Sequence, residues 1–180
     1  MTQWQDSRLQ MSAVRARYND PTNYTREDGW HRLTGIEIQR QMTYFWQSKG
    51  KADWLVLNAG AGDFKLALQT DKVINLDISE TRVSVQRNPV VASVEAIPLP
   101  DNRVDVLVCV GSVINYCDAA NAISEFARVL RPGGYLLIEF ESSRSAELIL
   151  QDAFGRAAAV ADTFYGNDPE VIWVYSPEFI

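Results

Sequence analysis

Five short apolar runs alternate with helix-like segments from Trp54 onward, and this alternation constrains the fold more than any other feature of the chain. The runs read WLVLN, KVINLD, VVASV, VDVLVCV and GGYLLIEF, and the segments between them include DFKLALQ, ETRVSVQ and AANAISEFARVL. Strands that alternate with helices in this way are typical of a parallel sheet, because each helix returns the chain to the same end of the sheet. The sequence therefore predicts an α/β fold, with a mostly parallel, doubly wound sheet and helices on both faces.

The remaining segments are predicted to belong to the same domain as this sheet. Residues 1–50 have the pattern of a helical cap, with one helix from about Asp6 to Tyr18 and another from Thr34 to Lys49. Residues 51–142 carry the alternating pattern, and residues 143–180 are predicted to form a C-terminal helix and an incomplete end. At 180 residues, without repeats or a low-complexity linker, the whole chain is expected to be a single domain.

Charge and composition argue against several kinds of partner. Seventeen basic and twenty-three acidic residues give a net charge of −6 and a pI near 4.8, which disfavours nucleic acid and anionic membranes. Two cysteines and one histidine are too few for a disulfide framework or a zinc site, so we expect no bound metal and a reducing compartment. No apolar run approaches the roughly 18 residues that span a bilayer, and the N-terminal residues do not resemble an export signal. The predicted location is the cytoplasm.

In the stretch WLVLNAGAGDF, the first apolar run is followed by two closely spaced glycines, Gly60 and Gly62. Glycines at these positions let the backbone pass close to a ligand before a helix that is predicted to begin near Asp63. The same residues also occur in an ordinary tight turn between a strand and a helix. A nicotinamide dinucleotide turn needs a third glycine where this chain has Lys65, so support for that cofactor is weak.

A carboxylate, Asp77, follows the second apolar run. At the carboxyl end of a strand and beside a glycine turn, it is suited to accept hydrogen bonds from two ribose hydroxyl groups. The alternative is that Asp77 caps the following helix, although Ser79 is placed to do so instead. Further along, IPLPD predicts a rigid loop, and RVLRPGG predicts a helix that ends in a turn before the fifth strand.

Four stretches, in this order and spacing, resemble the class I S-adenosylmethionine-dependent methyltransferases, in particular the methyltransferase type 11-like family. They are NAGAGDF, NLDISE, VEAIPLPDNRVDVLVCVGSVINY and RVLRPGGYLLIEF, and the resemblance runs from about Trp54 to Glu141. The resemblance implies a Rossmann-like fold, methyl transfer as the reaction and S-adenosylmethionine as the cofactor.

The resemblance also implies where the cofactor binds. The glycine turn would line the methionine part, Asp77 would hold the ribose hydroxyls, and Ser93 with Val94 would flank adenine. Cys109 to Gly111 would pass beside the reactive sulfonium. The complete set of implied cofactor-binding residues is Asn58, Ala59, Gly60, Gly62, Asp77, Ile78, Ser93, Val94, Glu95, Cys109, Val110 and Gly111.

Three positions depart from the family pattern. The family usually has an acidic residue where this chain has Asn58, a glycine where it has Phe64 and an aspartate where it has Ser93. Loss of a carboxylate near the methionine ammonium removes a charge-assisted hydrogen bond of about 1.5–3 kcal/mol. We therefore expect Asn58→Asp to tighten cofactor binding. Asp63 could supply a compensating charge, although its more common role at the first turn of a helix is a favourable contact with the helix dipole.

The methyl acceptor is expected to bind beyond the carboxyl ends of the strands, where the N-terminal helices meet the loop after the fourth strand. In-line methyl transfer depends mainly on positioning, so a dedicated base is optional. The side chains predicted to line this region are Tyr18, Tyr24, Trp30, His31, Asn115 and Tyr116, and the candidate catalytic residues among them are His31, Asn115 and Tyr116. His31 can equally be a solvated loop residue, and the other two a cap and a core residue. GSVINY stands where amino-methylating DNA enzymes carry an NPPY-like tetrapeptide, which favours a small-molecule acceptor.

Two other functions remain open from the sequence. A catalytically silent relative that serves as a partner subunit would explain Asn58, Phe64 and Ser93 together, and titration with S-adenosylmethionine would separate it from an enzyme. A nicotinamide-dependent oxidoreductase shares the glycine turn and the acidic strand end, but it does not account for EAIPLPD or RPGG.

The C-terminal segment is shorter than the family pattern requires. After the fifth strand the family continues with a helix and an antiparallel strand pair, whereas here ESSRSAELILQDAFGRAAAVADTF leads only to VIWVYSPEFI. The sheet is therefore expected to lack the last helix and the antiparallel strand pair. Because an open edge strand invites pairing, we expect a longer parent protein, a second polypeptide or oligomer formation, with Val171 to Tyr175 near the open edge.

Overall fold

Five parallel strands form the central sheet of the computed structural model, which describes residues 11–20, 29–165 and 168–180. The strands are β1 (Val56–Ala59), β2 (Val73–Asp77), β3 (Pro89–Val91), β4 (Val104–Cys109) and β5 (Leu130–Ile138). Their order in the sheet is β3-β2-β1-β4-β5. Each strand falls within an apolar run or begins within a few residues of one, so the predicted parallel sheet is confirmed.

The strand order reverses between β1 and β4, which lie side by side at the centre of the sheet. Val56 pairs with Val73 of β2 on one side and with Val106 of β4 on the other. All four residues of β1 are buried. The chain leaves β1 and β4 toward opposite sides at this point, and such a reversal opens a crevice at the carboxyl ends of the strands.

Helices cover both faces of the sheet. They are α1 (Met11–Asn19), α2 (Gly29–Lys49), α3 (Glu80–Val83) and α4 (Ala119–Val129). Side chains alternate along a strand, so Val56 and Val106 pack beneath α2, whereas Leu57 and Leu107 pack beneath α4. Asp118 caps α4 by accepting hydrogen bonds from the N–H groups of its first turn. This arrangement confirms the doubly wound α/β fold. No helix of the described ranges is both long enough and apolar enough to cross a membrane.

The prediction of a helix that begins near Asp63 is wrong, because residues 63–72 contain no helix. The backbone of this segment bonds to a side chain of α2 instead. The Gln39 amide donates to the carbonyl of Lys65 and accepts from the N–H of Ala67, at 2.8 and 2.9 Å. These contacts hold the segment against α2 in an irregular conformation.

The C-terminal region also differs from the prediction. Beyond a single 3₁₀-helical turn at Ala146–Leu148, the described part of residues 143–180 contains two strands, β6 (Ala158–Tyr165) and β7 (Asp168–Tyr175). They pair antiparallel in a sheet of their own. The predicted C-terminal helix is therefore wrong, because the described residues contain no α-helix after β5. The physical reason is that both faces of β7 are apolar: Ile172 packs with β6, whereas Trp173 packs into the main core. Within the same described ranges, the central sheet lacks the last helix and an antiparallel strand pair, as predicted, since β6 and β7 form a separate sheet.

Within the described residues, β5 has a strand neighbour on one side only, which is β4. The RPGG turn lies inside β5 and produces a register shift opposite β4. Tyr135 and Leu136 on this strand are exposed. The segment from Val171 to Tyr175, which was predicted to lie near the open edge, pairs with β6 and not with β5. Its last residue, Tyr175, forms an isolated bridge to Ser142, which follows the end of β5.

Candidate cofactor and acceptor site

A cavity of about 570 Å³ opens at the carboxyl ends of β1, β2 and β4. Its volume lies within the range that is usual for small-molecule sites. Most of the predicted cofactor-binding residues line it, namely Asn58, Gly60, Gly62, Asp77, Ile78, Ser93, Val94, Val110 and Gly111. The topology therefore brings residues from four separate loops to one place.

The glycine turn forms one wall of this cavity. Gly60 has a φ of 77°, and its N–H donates to the carbonyl of Leu76 at 2.8 Å. A Cβ atom on Gly60 would lie 2.3 Å from a methyl carbon of Val113, so no side chain fits there. Gly62 has a φ of 49° and open space where its Cβ would be. The turn thus requires glycine at both positions, once for packing and once for backbone conformation.

Asp77 ends β2 and accepts backbone hydrogen bonds on both carboxylate oxygens. Oδ2 accepts from the N–H of Gly62 and Oδ1 from the N–H of Ser79, each at 2.8 Å. Burial raises the pKa of this carboxyl above its usual range, although the two N–H groups and nearby Arg82 act in the opposite direction. The Ser79 side chain caps α3. Each Asp77 oxygen can accept a further hydrogen bond, which leaves capacity for a ligand.

The loop after β4 is held by a carboxylate that the sequence reasoning missed. Glu139 Oε2 accepts from the N–H groups of Gly111 and Ser112 at 2.7 and 2.9 Å. Both residues have positive φ, 82° for Gly111 and 58° for Ser112. A left-handed conformation is costly for serine, so the two hydrogen bonds stabilise a strained turn at the cavity wall.

Three predicted residues do not line the cavity. Ala59 and Cys109 point into the core beneath α4 and are fully buried. Burial, with the charges of Glu139 and Asp77, raises the pKa of the Cys109 thiol and keeps it protonated. Glu95 accepts from the N–H of Asp118 at 2.6 Å and thereby supports the start of α4.

Asn58 is buried, and its amide is already engaged. Its Nδ2 donates to Oδ1 of Asn75 at 2.9 Å, and Nδ2 of Asn75 donates to the carbonyl of Arg87 at 2.6 Å. Asn58 therefore belongs to a chain of oriented amides that joins β1 to β2. A carboxylate in place of the Asn58 amide would set one of its oxygens against Oδ1 of Asn75, with no hydrogen atom between them.

The candidate catalytic residues have different outcomes. Asn115 is fully buried and uses its amide to bond Glu141 and Trp173, so it joins the loop after β4 to the backbone of β7. Tyr116 lines the cavity. The side chain of His31, the third candidate, lies outside the described residues, as do Tyr24 and the side chain of Trp30, which were predicted to line the acceptor region.

A polar cluster at Tyr116 adds two residues that the sequence reasoning missed, Arg17 and Glu170. The Tyr116 hydroxyl donates to Oε1 of Glu170 at 2.6 Å, and Arg17 Nη1 lies 2.7 Å from the same oxygen. The ring of Tyr18 meets that of Tyr116 edge-on, with centroids 5.5 Å apart. No local motif marks Glu170, because it lies more than fifty residues along the chain from Tyr116.

Helix α1 spans the distance between this cluster and the end of β2. Besides the contacts of Arg17 and Tyr18 with the cluster, the Tyr18 carbonyl accepts from Ser79 Oγ at 3.1 Å and from Arg82 Nε at 2.9 Å. Asn19 Oδ1 accepts from Ser79 Oγ at 2.8 Å. One short helix is thus tied to both ends of the cavity.

Comparison with known proteins agrees with this geometry. Residues 55–138 match the family model of the methyltransferase domain. A malonyl-[acyl-carrier protein] O-methyltransferase of Yersinia pestis is 35% identical over 132 residues, which are 67% of this chain and 44% of that protein. The ubiquinone/menaquinone biosynthesis C-methyltransferase UbiE of Hahella chejuensis is 32% identical over 57% of this chain and 48% of its own length. The chain thus spans about half the length of these relatives.

Solved structures share the fold at low sequence identity. Magnesium protoporphyrin IX methyltransferase of Synechocystis has a TM-score of 0.59 at 16% identity, over 92% of this chain and 97% of that one. The 1,6-didemethyltoxoflavin-N1-methyltransferase of Burkholderia thailandensis has a TM-score of 0.57 at 13% identity, over 99% of this chain and 75% of that one.

The strand order, the glycine turn and the carboxylate at the end of β2 define a Rossmann-like site of the methyltransferase kind. Together with the match of residues 55–138 to the family model of the methyltransferase domain, they make this part of the chain similar to the class I S-adenosylmethionine-dependent methyltransferases.

Proposed function

We propose that the protein transfers a methyl group from S-adenosylmethionine to a small-molecule acceptor. One observation carries the proposal: residues suited to a nucleoside and residues suited to a polar acceptor line the same cavity of about 570 Å³. The two reactants would therefore meet without leaving the protein. Positioning of this kind supplies much of the rate enhancement of a displacement reaction.

The residues of the cavity fit the cofactor. Asp77 keeps hydrogen-bonding capacity for the ribose hydroxyls, and Gly62 leaves open space beside it. Ile78, Ser93 and Val94 offer a mainly apolar surface for adenine. When bound, the cofactor supplies an electrophilic methyl carbon on a positively charged sulfur. The loop at Gly111, which Glu139 holds, is the segment that we assign to this end of the cofactor.

The charge of the cavity supports the same assignment. Among the lining residues that the structure describes, carboxylates outnumber cations; they are Asp63, Asp77, Glu141, Glu147 and Glu170 against Lys65 and Arg82. A negative potential attracts the sulfonium of the methyl donor more strongly than the uncharged sulfur of its product. The cavity is therefore suited to bind the donor and to release the product.

Relatives support a small acceptor. Two of the matched structures are named for magnesium protoporphyrin IX and for 1,6-didemethyltoxoflavin, both of which are small molecules. We also propose a cytoplasmic location, because Cys109 and Cys117 are both free. Free thiols are usual in a reducing compartment.

Calorimetric titration with S-adenosylhomocysteine tests the cofactor site. We expect the wild type to bind it, and Asp77→Asn to weaken binding by about 1.5–3 kcal/mol, the range for a hydrogen bond to a charged group. Asp71→Asn is the matched control, because Asp71 is exposed and pairs only with Arg87 among the contacts described for it. Wild-type affinity in a folded Asp77→Asn protein would contradict the assignment.

A further inference from the structure

The polar cluster of Arg17, Tyr18, Tyr116 and Glu170 lies in the proposed methyltransferase cavity but is not needed to bind the cofactor. We call it the acceptor-side cluster. Three of its members, Tyr18, Tyr116 and Glu170, line the cavity, and Arg17 supports Glu170 from α1. The cluster joins α1, the turn after β4 and β7, so the fold assembles it from three distant parts of the chain.

Glu170 is the unusual member of this cluster. Its side chain is 5% exposed, whereas that of Arg17 is 35% exposed. A buried carboxylate is costly unless it is paired, and even a paired one often stabilises a fold no better than an apolar residue of similar size. The stability of the fold therefore does not explain a carboxylate at this position. Because Glu170 lines a ligand cavity, a role in binding or in the reaction explains it better.

Among the described residues, the contacts of Glu170 leave part of the carboxylate available. The Tyr116 hydroxyl and Arg17 Nη1 both approach the same oxygen, Oε1. These two contacts fix the orientation of the group and balance its charge. Oε2 is then the oxygen that can accept a hydrogen bond from a ligand in the cavity.

Tyr116 is suited to hold Glu170 in place rather than to take a proton itself. Burial raises the pKa of the Tyr116 hydroxyl well above its usual value, and Tyr18 and Glu170 add to the effect. Tyr116 therefore remains a neutral phenol that donates to Glu170. By this reasoning Tyr116 is a positioning residue, and Glu170 is the proton acceptor.

Two aromatic side chains form part of the wall around Glu170. The rings of Tyr18 and Tyr116 stand edge-on to each other, and both line the cavity. Aromatic walls favour a flat ring by stacking and edge contacts. A flat ring that binds next to the Glu170 carboxylate would need a hydrogen-bond donor on that side, and a hydroxyl group on the ring supplies one.

We propose that Glu170 accepts the proton from a ring-bound hydroxyl group of the methyl acceptor. The acceptor class is thus a phenol or an enol of similar shape, and this inference rests on the proposed methyl transfer. In the step, the acceptor O–H bond breaks and its proton moves to the Glu170 carboxylate. The freed electron pair forms the O–CH₃ bond as the S–CH₃ bond breaks, and sulfur retains the electrons of that bond.

The first test compares phenols of different acidity in the wild type and Glu170→Gln. At mildly alkaline pH, 2-naphthol is protonated and needs a base, whereas 4-nitrophenol is already ionised. We expect Glu170→Gln to lower kcat/KM for 2-naphthol by about 10²–10⁴-fold, the usual contribution of a general base. The loss for 4-nitrophenol should be less than about tenfold. Equal losses for the two phenols would show that Glu170 acts only through structure and would overturn the proposal.

The second test measures binding without turnover. In the presence of S-adenosylhomocysteine, the wild type should bind 2-naphthol more tightly than its methyl ether, which lacks the hydroxyl proton. Glu170→Gln should lose most of this preference, while Glu178→Gln should keep it. Glu178 is a suitable control because its side chain is 62% exposed and pairs with Arg144 at the surface. An unchanged preference in Glu170→Gln would overturn the proposal.

A third measurement needs the wild type alone and covers the case in which Glu170→Gln fails to fold. With a general base, kcat/KM for 2-naphthol should stay level as the pH falls from mildly alkaline toward neutral. A tenfold fall for each pH unit would mean that the phenolate must form in solution, which would overturn the proposal.

The proposed function fails separately from this inference. If the wild type binds S-adenosylhomocysteine but methylates neither phenol, the acceptor class is wrong and the cofactor assignment stands. If the wild type does not bind S-adenosylhomocysteine, the proposed function itself is wrong.

Discussion

At the scale of single residues, Asp77 meets two opposing demands. It lies at the cavity, where the proposed contact with ribose would need a charged carboxylate, yet it is buried enough that its pKa is raised. The N–H groups of Gly62 and Ser79 offset only part of the desolvation cost. The ionised form that a ligand needs is therefore the form that burial disfavours.

The raised pKa of Asp77 predicts a defined pH dependence of stability. When an acid has a higher pKa in the folded chain, the folded protein binds more protons, so its free energy of unfolding falls as the pH rises. For Asp77 this fall begins near the unfolded pKa of about 3.9 and ends above the raised folded value. We expect Asp77→Asn to lose this fall, as measured by urea unfolding at a series of pH values.

The contribution of Asp77 is obtained as the difference in the free energy of unfolding between the wild type and Asp77→Asn at each pH. Glu125, whose pKa is lowered to about 2, chiefly by its hydrogen bond with Arg128, contributes the opposite slope in both proteins. Parallel pH curves for the wild type and Asp77→Asn would contradict the expectation.

The surroundings of Asn58 change what is expected of Asn58→Asp. The sequence alone favoured tighter cofactor binding, but the new carboxylate would face Oδ1 of Asn75, which is fixed by its own bond to Arg87. We expect a loss of about 1–3 kcal/mol in the free energy of unfolding, because a buried hydrogen bond is replaced by an oxygen pair. Urea unfolding measures the loss. Tighter binding at unchanged stability would support the original expectation instead.

Sequence reasoning located the residues at the carboxyl ends of the strands, because a strand pattern predicts where its strand stops. It did not separate neighbouring positions that point to opposite faces. Asn58 lines the cavity whereas Ala59 enters the core, and Cys109 is buried whereas Val110 lines the cavity. Glu170 was out of reach, because nothing in the local sequence indicates that β7 returns to the turn after β4.

At the scale of helices and strands, local patterns succeeded where packing agreed with them and failed where it did not. The segment DFKLALQ has helix-like periodicity, but its backbone bonds to Gln39 of α2. The C-terminal region has helix-forming residues, yet both faces of β7 find apolar partners. In each case a contact with a distant part of the chain outweighs the local preference.

Glu139 gives a prediction for the loop after β4. Glu139→Ala removes the acceptor for the N–H groups of Gly111 and Ser112, so the left-handed turn loses its support. We expect weaker S-adenosylhomocysteine binding by about 1–3 kcal/mol in calorimetry. Glu139→Gln should lose less, because its amide oxygen still accepts a hydrogen bond.

Glu80→Ala is the control for this experiment, because Glu80 is exposed on α3. If Glu139→Ala binds S-adenosylhomocysteine as the wild type does, the loop does not depend on the carboxylate.

At the scale of the whole molecule, the sheet has a well-covered centre and an open edge. β1 and β4 are paired on both sides, whereas β5 pairs only with β4 in the described ranges. An edge of this kind exposes every second N–H group. The Glu139 N–H donates to the Cys109 carbonyl, so by alternation the N–H groups of Leu136 and Ile138 point away from β4.

Amide hydrogen exchange tests the open edge. We expect slow exchange at Leu137 and Glu139 and fast exchange at Leu136 and Ile138, in contrast to uniformly slow exchange along β1. Uniform protection along β5 would show that another strand covers the edge. If that protection grows with protein concentration, the covering strand comes from a second copy of the chain.

The double attachment of α1 has a consequence for the timing of turnover. Arg17 ties this helix to Glu170, and the Tyr18 carbonyl ties it to Arg82. We therefore expect that molecules which enter or leave the cavity between these points require α1 to detach. We expect Arg17→Ala to speed the dissociation of S-adenosylhomocysteine in stopped-flow measurements. The rate of catalytic turnover would then be limited by the rate at which this helix of nine residues detaches. Faster chemistry at the reacting groups would not increase it.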